Sequence, residues 1–187
     1  MIEIVPYKKN WPGEFARVGA RIRAALGKTA LAIHHIGSTS VPGLAAKDII
    51  DVQLTVADLN PVFRELLEVA GFVVLEHVAR DHCPPGLTLP PEELAKQMFQ
   101  GTSPNVNLHV RGVGRFNQRY PLLCRDYLRS HPATMHAYAE IKRQLARYFP
   151  ENVEAYYDVK DPVFDLIMAG AGEWAGVTDW MLPPSDA

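Results

Sequence analysis

The chain has 187 residues, a net charge of −2 and an apolar fraction of 48%. That length and apolar content suffice for a single compact domain over 1–187. The nearly balanced charge gives no reason to expect a nucleic acid or an anionic membrane surface as a partner. No apolar run reaches the length of a membrane span, and the N-terminal residues lack the pattern of a signal peptide. The two cysteines are too few for a disulfide framework, so the expected location is the cytoplasm.

The first half of the chain is predicted to alternate helices and strands. Asn10 and Pro12 suit the start of a helix that Gly27 ends. A second helix is expected to begin at Pro61 and to end at Gly71. Period-two patterns predict strands at 30–36, 49–56, 72–78 and 106–111.

The second half is predicted to be mainly helical. Residues 92–99 are expected to form a helical segment after a proline-rich loop. Longer helices are expected at 118–129 and 133–148, and a last helix is expected from Asp161-Pro162 to about residue 174. Strands followed by helices indicate an α+β, or mixed α/β, domain.

A hydroxyl-rich turn, GSTS, follows the first strand. Glycine allows a close approach of the backbone to a ligand, and successive N–H and hydroxyl groups can hold a phosphate. The alternative is a turn whose hydroxyls satisfy its own backbone. Neither a GxxxxGK[ST] loop nor a GxGxxG loop is present. The candidate phosphate-binding residues are Gly37, Ser38, Thr39 and Ser40.

Asp51 interrupts an otherwise apolar strand, DIIDVQLTV, where an unpaired carboxylate would be costly. The period of two places Gln53 on the same face, and oxygen ligands at that spacing can hold Mg²⁺ or Mn²⁺ beside a triphosphate. A half-exposed strand, or an ion pair of Asp51 with Lys47, would explain the pattern equally well. His109 shares a face of the fourth strand with Asn107 and can ligate a metal, relay a proton or bond Asp51.

Basic side chains supply candidate partners for an anion. Arg111 can hold a phosphate or a carboxylate in a bidentate manner. Arg125 and Arg129, at i and i+4, share one helical face and can form an anion clamp or a solvated pair. Lys47 and Lys160 are further candidates, and His35 adjoins the turn.

Read together, HHIGSTSVPGLAAKDIIDVQLTV, VNLHVR, NQRY and RDYLRSHP strongly resemble the GrpB family, in order and over nearly the whole chain. The resemblance implies a nucleotidyltransferase-like fold, a minimal form of the DNA polymerase β superfamily, with a short mixed sheet flanked by helices. It equates Gly37-Ser38 with the superfamily turn and Asp51 with its first acid. Gln53 stands at the second acid position, and the face of Asn107 and His109 offers no third carboxylate.

The chain is also similar to the GrpB-type domain that is fused to dephospho-coenzyme A kinase in some bacteria. It contains no kinase P-loop and would be a free-standing form.

Three functions stay open at this point. The first is metal-dependent nucleotidyl transfer from an NTP to an unknown acceptor, with Mg²⁺ or Mn²⁺ on Asp51, Gln53 and His109. The second is a non-catalytic module that binds a nucleotide, phosphate or coenzyme A-like ligand. The third is a transition-metal site of Asp51 and His109, extended by His35.

Overall fold

The computed structural model describes residues 1–59 and 62–187. In those residues it contains five strands and five α-helices. The strands are β1 (Ala32–Ile36), β2 (Ile50–Val56), β3 (Val73–Val74), β4 (Lys96–Thr102) and β5 (Asn105–Gly112). The helices are α1 (Trp11–Leu26), α2 (Val62–Val69), α3 (Phe116–Ser130), α4 (Pro132–Tyr148) and α5 (Val153–Thr178).

The strands form one mixed sheet in the order β1-β2-β5-β4-β3. Only the central pair, β2 and β5, is parallel; the other neighbouring strands run antiparallel. The expected α+β class, with a short mixed sheet flanked by helices and a helical C-terminal part, is confirmed. In the described part of the chain, no helix is both long and apolar enough to cross a bilayer.

The two faces of the sheet have different neighbours. Alternate residues of β2, among them Ile50, Val52 and Leu54, pack in one core with Trp11 and Ile22 of α1. Because side chains of a strand alternate between faces, the other β2 residues point toward the C-terminal helices. A second core joins α3, α4 and α5 to the segment after the turn. The polar face of β2 is therefore turned toward this helical layer.

Several boundaries differ from the prediction. Residues 92–99 are not helical: a short 3-10 turn at Pro91–Glu93 leads into β4, which pairs with β5 along its length. The segment KQMFQGT is short, and its pattern alone does not separate a strand from a helix. The strand predicted at 72–78 is reduced to Val73–Val74. The predicted helix start at Pro61 lies outside the described residues.

The last helix begins earlier than predicted. Asn152 caps α5, its Oδ1 accepting a hydrogen bond from Ala155 N at 3.0 Å, and the helix continues past Pro162. The acid-proline pair at Asp161 resembles a helix start, but it lies inside an existing helix. The C-terminal tail has no helix or strand, and it packs beside β1: Asp186 N donates to Ile33 O at 2.9 Å.

Candidate functional site

A cleft of about 420 Å³ opens between the polar face of the sheet and the C-terminal helices. Its sheet side is formed by Asp51 of β2, by His109 and Arg111 of β5, and by Gly37 and Ser38 of the turn. Its helical side carries aromatic and charged residues of α3, α4 and α5: Phe116, Tyr120, Tyr138, Tyr157, Lys160, Asp161, Phe164 and Asp165. That volume is within the range of small-molecule sites.

The parallel pairing of β2 and β5 sets the composition of the sheet side. Asp51 is level with Asn107, and Gln53 is level with His109. Asn107 Nδ2 donates to Asp51 Oδ1 at 3.0 Å, and His109 Nε2 lies 3.9 Å from the same oxygen. Sequence reasoning placed these residues on two separate strands, and the register brings them together.

Asp51 carries its charge in a partly enclosed position, with 27% of its side chain exposed. Burial on its own raises the pKa of this carboxyl group. The approach of His109, the hydrogen bond from Asn107 and the charge of Lys47 outweigh burial and hold the pKa of Asp51 below its ordinary value. Asp51 is therefore a carboxylate at neutral pH and faces the cleft.

His109 is neutral, and its surroundings select one tautomer. Burial, together with the charge of Arg111, lowers the pKa of His109. Its Nδ1 lies 3.5 Å from Lys96 Nζ and 3.4 Å from Arg111 Nη2, so Nδ1 accepts and the ring proton sits on Nε2. The Nε2–H group then points toward Asp51. Metal ligation through Nε2 would move that proton to Nδ1, beside two cationic groups, so His109 is poorly suited to be a ligand.

Gln53 does not line the cleft, contrary to the expectation that it would face a metal. Its side chain is fully buried. Its Oε1 accepts from Arg111 Nη1 at 2.7 Å, and its Nε2 donates to Gln118 O at 2.9 Å. With both polar atoms bonded inside the protein, Gln53 anchors Arg111 and α3 and has no group free for a cation.

Asp81, which the sequence analysis did not select, is the partner of Arg111. It accepts from Arg111 Nε at 2.8 Å and Nη2 at 2.9 Å, and from Lys96 Nζ at 2.6 Å. Burial alone would raise the pKa of Asp81, but Arg111 and Lys96 hold it well below its usual range. Arg111 is thus already paired in a bidentate manner and is not a free phosphate clamp. The available signal was weak: Asp81 opens a proline-rich loop.

Two residues of the GSTS turn face the cleft, and the other two make hydrogen bonds within the protein. Gly37 and Ser38 line the cleft. Thr39 donates to Ile49 O at 3.3 Å and contacts His35 Nε2, whereas Ser40 Oγ donates to Gly37 O at 2.6 Å. Thr39 and Ser40 therefore satisfy the turn itself. His35 is buried with a pKa lowered to about 4, chiefly by burial, and stacks on Phe15 at 4.8 Å, so its place is structural.

Arg125 and Arg129 do not reach the cleft, and the predicted anion clamp is not formed. Arg125 Nη1 donates to His35 O at 3.0 Å and to Asp186 Oδ2 at 2.8 Å. Arg129 donates twice to Ser40 O, at 3.1 and 2.8 Å. The two arginines therefore bond backbone carbonyls of β1 and of the turn, and Arg125 also pairs with the carboxylate of Asp186 in the C-terminal tail.

Lys142 of α4, Lys160 of α5 and Lys47, which precedes β2, lie in or near the cleft. Lys142 Nζ donates to Ser38 Oγ at 2.8 Å and to Ala45 O at 2.6 Å. Lys160 lines the cleft and bonds Asp161 at 3.0 Å, and Lys47 bonds the Tyr157 hydroxyl. The chain thus places the Lys142 amine against Ser38 and the Lys160 amine on the helical side of the cleft. Nothing in the sequence singles out Lys142, because an isolated helical lysine carries no specific signal.

The residues do not fit a resident metal ion. Within residues 1–59 and 62–187, no group of three or more His, Cys, Asp or Glu is placed to hold one. Asp51 offers a single carboxylate, and neither Gln53 nor His109 presents a free lone pair to the cleft. A divalent cation would need most of its ligands from phosphate oxygens and water, as Mg²⁺ commonly does.

Comparisons with known proteins show which proteins the chain is similar to. A family model described as "GrpB protein" matches residues 1–169. A UPF0157 protein of Halalkalibacterium halodurans is 35% identical over 172 residues, which cover 91% of this chain and 82% of that protein. The crystal structure of conserved protein GrpB from Enterococcus faecalis superposes with a TM-score of 0.75 at 26% identity, covering 92% of this chain and 99% of that one.

A longer relative has a different name. A protein of Mycolicibacterium paratuberculosis named dephospho-CoA kinase is 33% identical over 196 residues, which cover 96% of this chain. The match covers 48% of that protein, so the chain spans about half the length of this relative.

Proposed function

The chain belongs to the GrpB family, and on that premise we propose that its cleft binds a small molecule that joins a phosphate group to an aromatic ring, as a nucleotide does. The observation that carries the proposal is that lysine and serine groups and aromatic rings line the same cleft. Ser38 and Lys160 line the cleft, Lys142 bonds Ser38, Lys47 bonds Tyr157, and aromatic side chains line the helical wall. Lysines and hydroxyls suit phosphate oxygens, and aromatic rings suit a base.

The aromatic wall offers an apolar surface against which a planar group can pack. Phe116 and Tyr120 lie 5.7 Å apart between ring centroids, and Tyr120 and Phe164 are also 5.7 Å apart. Tyr120 donates to Asp165 at 3.3 Å, which fixes its orientation. A base placed against these rings would leave water and stack on an aromatic surface, and such stacking contributes about 1–3 kcal/mol per base.

The test is titration calorimetry of the whole chain with ATP, CTP, GTP and UTP, each with Mn²⁺ and with EDTA. Binding in the micromolar to millimolar range supports the proposal, and no binding of any nucleotide up to several millimolar contradicts it. Lys160→Met is expected to weaken binding several-fold. Arg143→Met serves as the matched control, because Arg143 is about half exposed and pairs with Glu140.

Nucleotidyl transfer to an unknown acceptor is a second candidate, favoured by Asp51. Its carboxylate lies in the cleft with Ser38 and can take a proton from an acceptor hydroxyl or contact a cation that arrives with the phosphates. The presence of one acid rather than two or three weighs against transfer. Incubation with labelled NTPs and Mn²⁺, followed by product analysis, separates binding from transfer: unconsumed NTP that still binds leaves the first proposal standing.

A coenzyme A-type ligand is a third candidate, favoured by the relative named dephospho-CoA kinase. Such a molecule contains an adenine nucleotide with phosphates, so it suits the same cleft. Dephospho-coenzyme A, coenzyme A and ATP should be titrated in parallel. Tighter binding of either coenzyme than of ATP would favour this ligand class.

A further inference from the structure

We propose that Ser38 and Lys142 form a phosphate subsite that takes up one proton as it fills, so that ligand binding is coupled to the protonation of a buried lysine. This inference rests on the proposed phosphate-bearing ligand and adds to it a residue, Lys142, and a linkage between binding and pH. It is carried by the way the Lys142 amine is held.

The amine of Lys142 is enclosed and bonded to neutral groups. The residue is 2% exposed. Its hydrogen-bond partners in the described part of the chain are Ser38 Oγ at 2.8 Å and Ala45 O at 2.6 Å, and its Nζ lies 4.6 Å from the centre of the Tyr138 ring. A buried ammonium group normally has an anionic partner. Two oxygens without charge suit a neutral amine, whose two N–H groups can donate to Ser38 Oγ and to Ala45 O.

The titratable groups around Lys142 belong to the elements packed against it. They are Lys47 before β2, Asp51 of β2, Tyr138 and Arg143 of α4, and Lys160 of α5. Burial is the main cause that lowers the pKa of Lys142 to about 7; Lys160, Arg143 and Lys47 act in the same direction, and Asp51 opposes them. At pH 8 the amine is therefore mostly neutral in the free protein.

A phosphate group at Ser38 would reverse this balance. Ser38 lines the cleft, and Lys142 lies directly behind it, so a phosphate in contact with the Ser38 hydroxyl stands next to the amine. Opposite charges at such separations attract strongly where water is scarce. The incoming anion supplies the missing partner, the lysine becomes an ammonium ion, and the proton comes from the buffer.

The experiment is titration calorimetry with ATP at pH 8.0 in two buffers of different ionisation enthalpy, without added metal. The difference in apparent enthalpy gives the protons exchanged, and we expect the uptake of about one proton per ATP bound. Lys142→Met should abolish this uptake, and Arg17→Met, at an exposed arginine of α1 on the other face of the sheet, should retain it.

A pH profile of the unmodified chain provides a measurement that does not depend on a folded methionine variant. ATP affinity should fall about ten-fold per pH unit above the pKa of the free lysine. Lys142→Arg keeps a permanent charge, so its affinity should be nearly flat from pH 7 to 9.

The outcomes are distinct. Uptake that vanishes in Lys142→Met supports the inference. ATP binding without proton uptake, uptake that persists in Lys142→Met, or a flat wild-type pH profile overturns it and leaves the proposed function standing. No ATP binding at any pH overturns the inference, and it overturns the proposed function as well if CTP, GTP and UTP also fail to bind.

Discussion

The Cα of Gly37 lies against the carboxylate of Asp51. A Cβ built on residue 37 would lie 2.9 Å from Asp51 Cβ and Cγ and closer still to Oδ2. Gly37 also has a φ of 67°, a conformation that side chains with a Cβ rarely adopt. The glycine of the turn is therefore required twice, by its backbone and by the acid that it borders.

Gly37→Ala is expected to lower the free energy of unfolding by more than about 1 kcal/mol, because left-handed strain and a clash with Asp51 add together. Urea denaturation measures the change. Gly13→Ala is the matched control, since a Cβ there meets nothing within 4 Å. In the first turn of α1 that substitution should be neutral or stabilising by up to about 1 kcal/mol. Equal effects of the two changes would contradict the close contact.

Asp51→Asn should remove the metal-dependent part of nucleotide binding. The variant keeps the shape of the side chain but loses the charge that a phosphate-bound cation would contact. ATP affinity with Mn²⁺ should fall about ten-fold or more, to the value measured in EDTA. Asp48→Asn is the control, because Asp48 is half exposed and pairs with Lys8 away from the cleft. An undiminished Mn²⁺ effect in Asp51→Asn would refute a cation at this acid.

Asp81→Asn should be strongly destabilising. It leaves Arg111 and Lys96 buried without their carboxylate, a change of about 3–5 kcal/mol at neutral pH. Glu76→Gln, at an exposed pair with Arg64, should change stability by less than about 1 kcal/mol. Denaturation of both variants at pH 7 provides the comparison.

The ion pairs of Asp81 also predict how the free energy of unfolding changes at acid pH. The folded pKa of Asp81 lies well below the ordinary value of 3.8. Its stabilisation is therefore complete above that value and is lost progressively as the pH falls below it toward the folded pKa. The difference between the wild type and Asp81→Asn should shrink between pH 5 and pH 2.5; a constant difference would show that Asp81 is not ionised in the folded chain.

Lys142 predicts a dependence of the same sign at higher pH. Its pKa is about 7 in the folded chain against 10.5 in its ordinary state, so the unfolded chain binds more protons between these values. The free energy of unfolding should rise from pH 7 to 9 by up to about 1.4 kcal/mol per pH unit from this group. Lys142→Met should remove that slope. Parallel slopes in the two proteins would show an ordinary lysine.

Removal of residues 181–187 should destabilise the chain and expose β1, an edge strand. The tail contributes Ser185 and Asp186, which bond the backbone of Ile33 and His35, and the ion pair of Asp186 with Arg125. An uncovered edge can pair with another chain. We expect a lower midpoint in urea and earlier elution in size-exclusion chromatography. Asp186→Asn, which keeps the tail, should lose stability without a change in elution.

The sequence was sufficient for the class of fold and for the central acid. Alternation in β2 identified Asp51, and the family motif placed Gly37 and Ser38 beside it. It failed where the partner of a side chain lies far away in the chain. Nothing local to Gln53 reveals that Arg111 occupies its oxygen, and nothing local to Arg125 reveals a carbonyl at His35. Asp81 was missed for the same reason, because its role depends on two cations from other strands.

The failed helix at 92–99 has a related cause. Lys96 and Phe99 occupy a short stretch whose pattern suits either structure, and pairing with β5 decides between them. The opposite error occurred at Pro162, where a strong local signal for a helix start is overridden by a helix already under way from Val153.

The level pairing of Asp51 with Asn107, and of Gln53 with His109, has a consequence for natural variation in length. One residue inserted within either β2 or β5 would turn every following side chain to the opposite face and separate the acid from its neighbours. Insertions and deletions should therefore be tolerated in the proline-rich loop that follows Asp81 and excluded from these two strands. A library of single-residue insertions along the chain, sorted for folding and for ligand binding, should contain no functional insertions within β2 or β5.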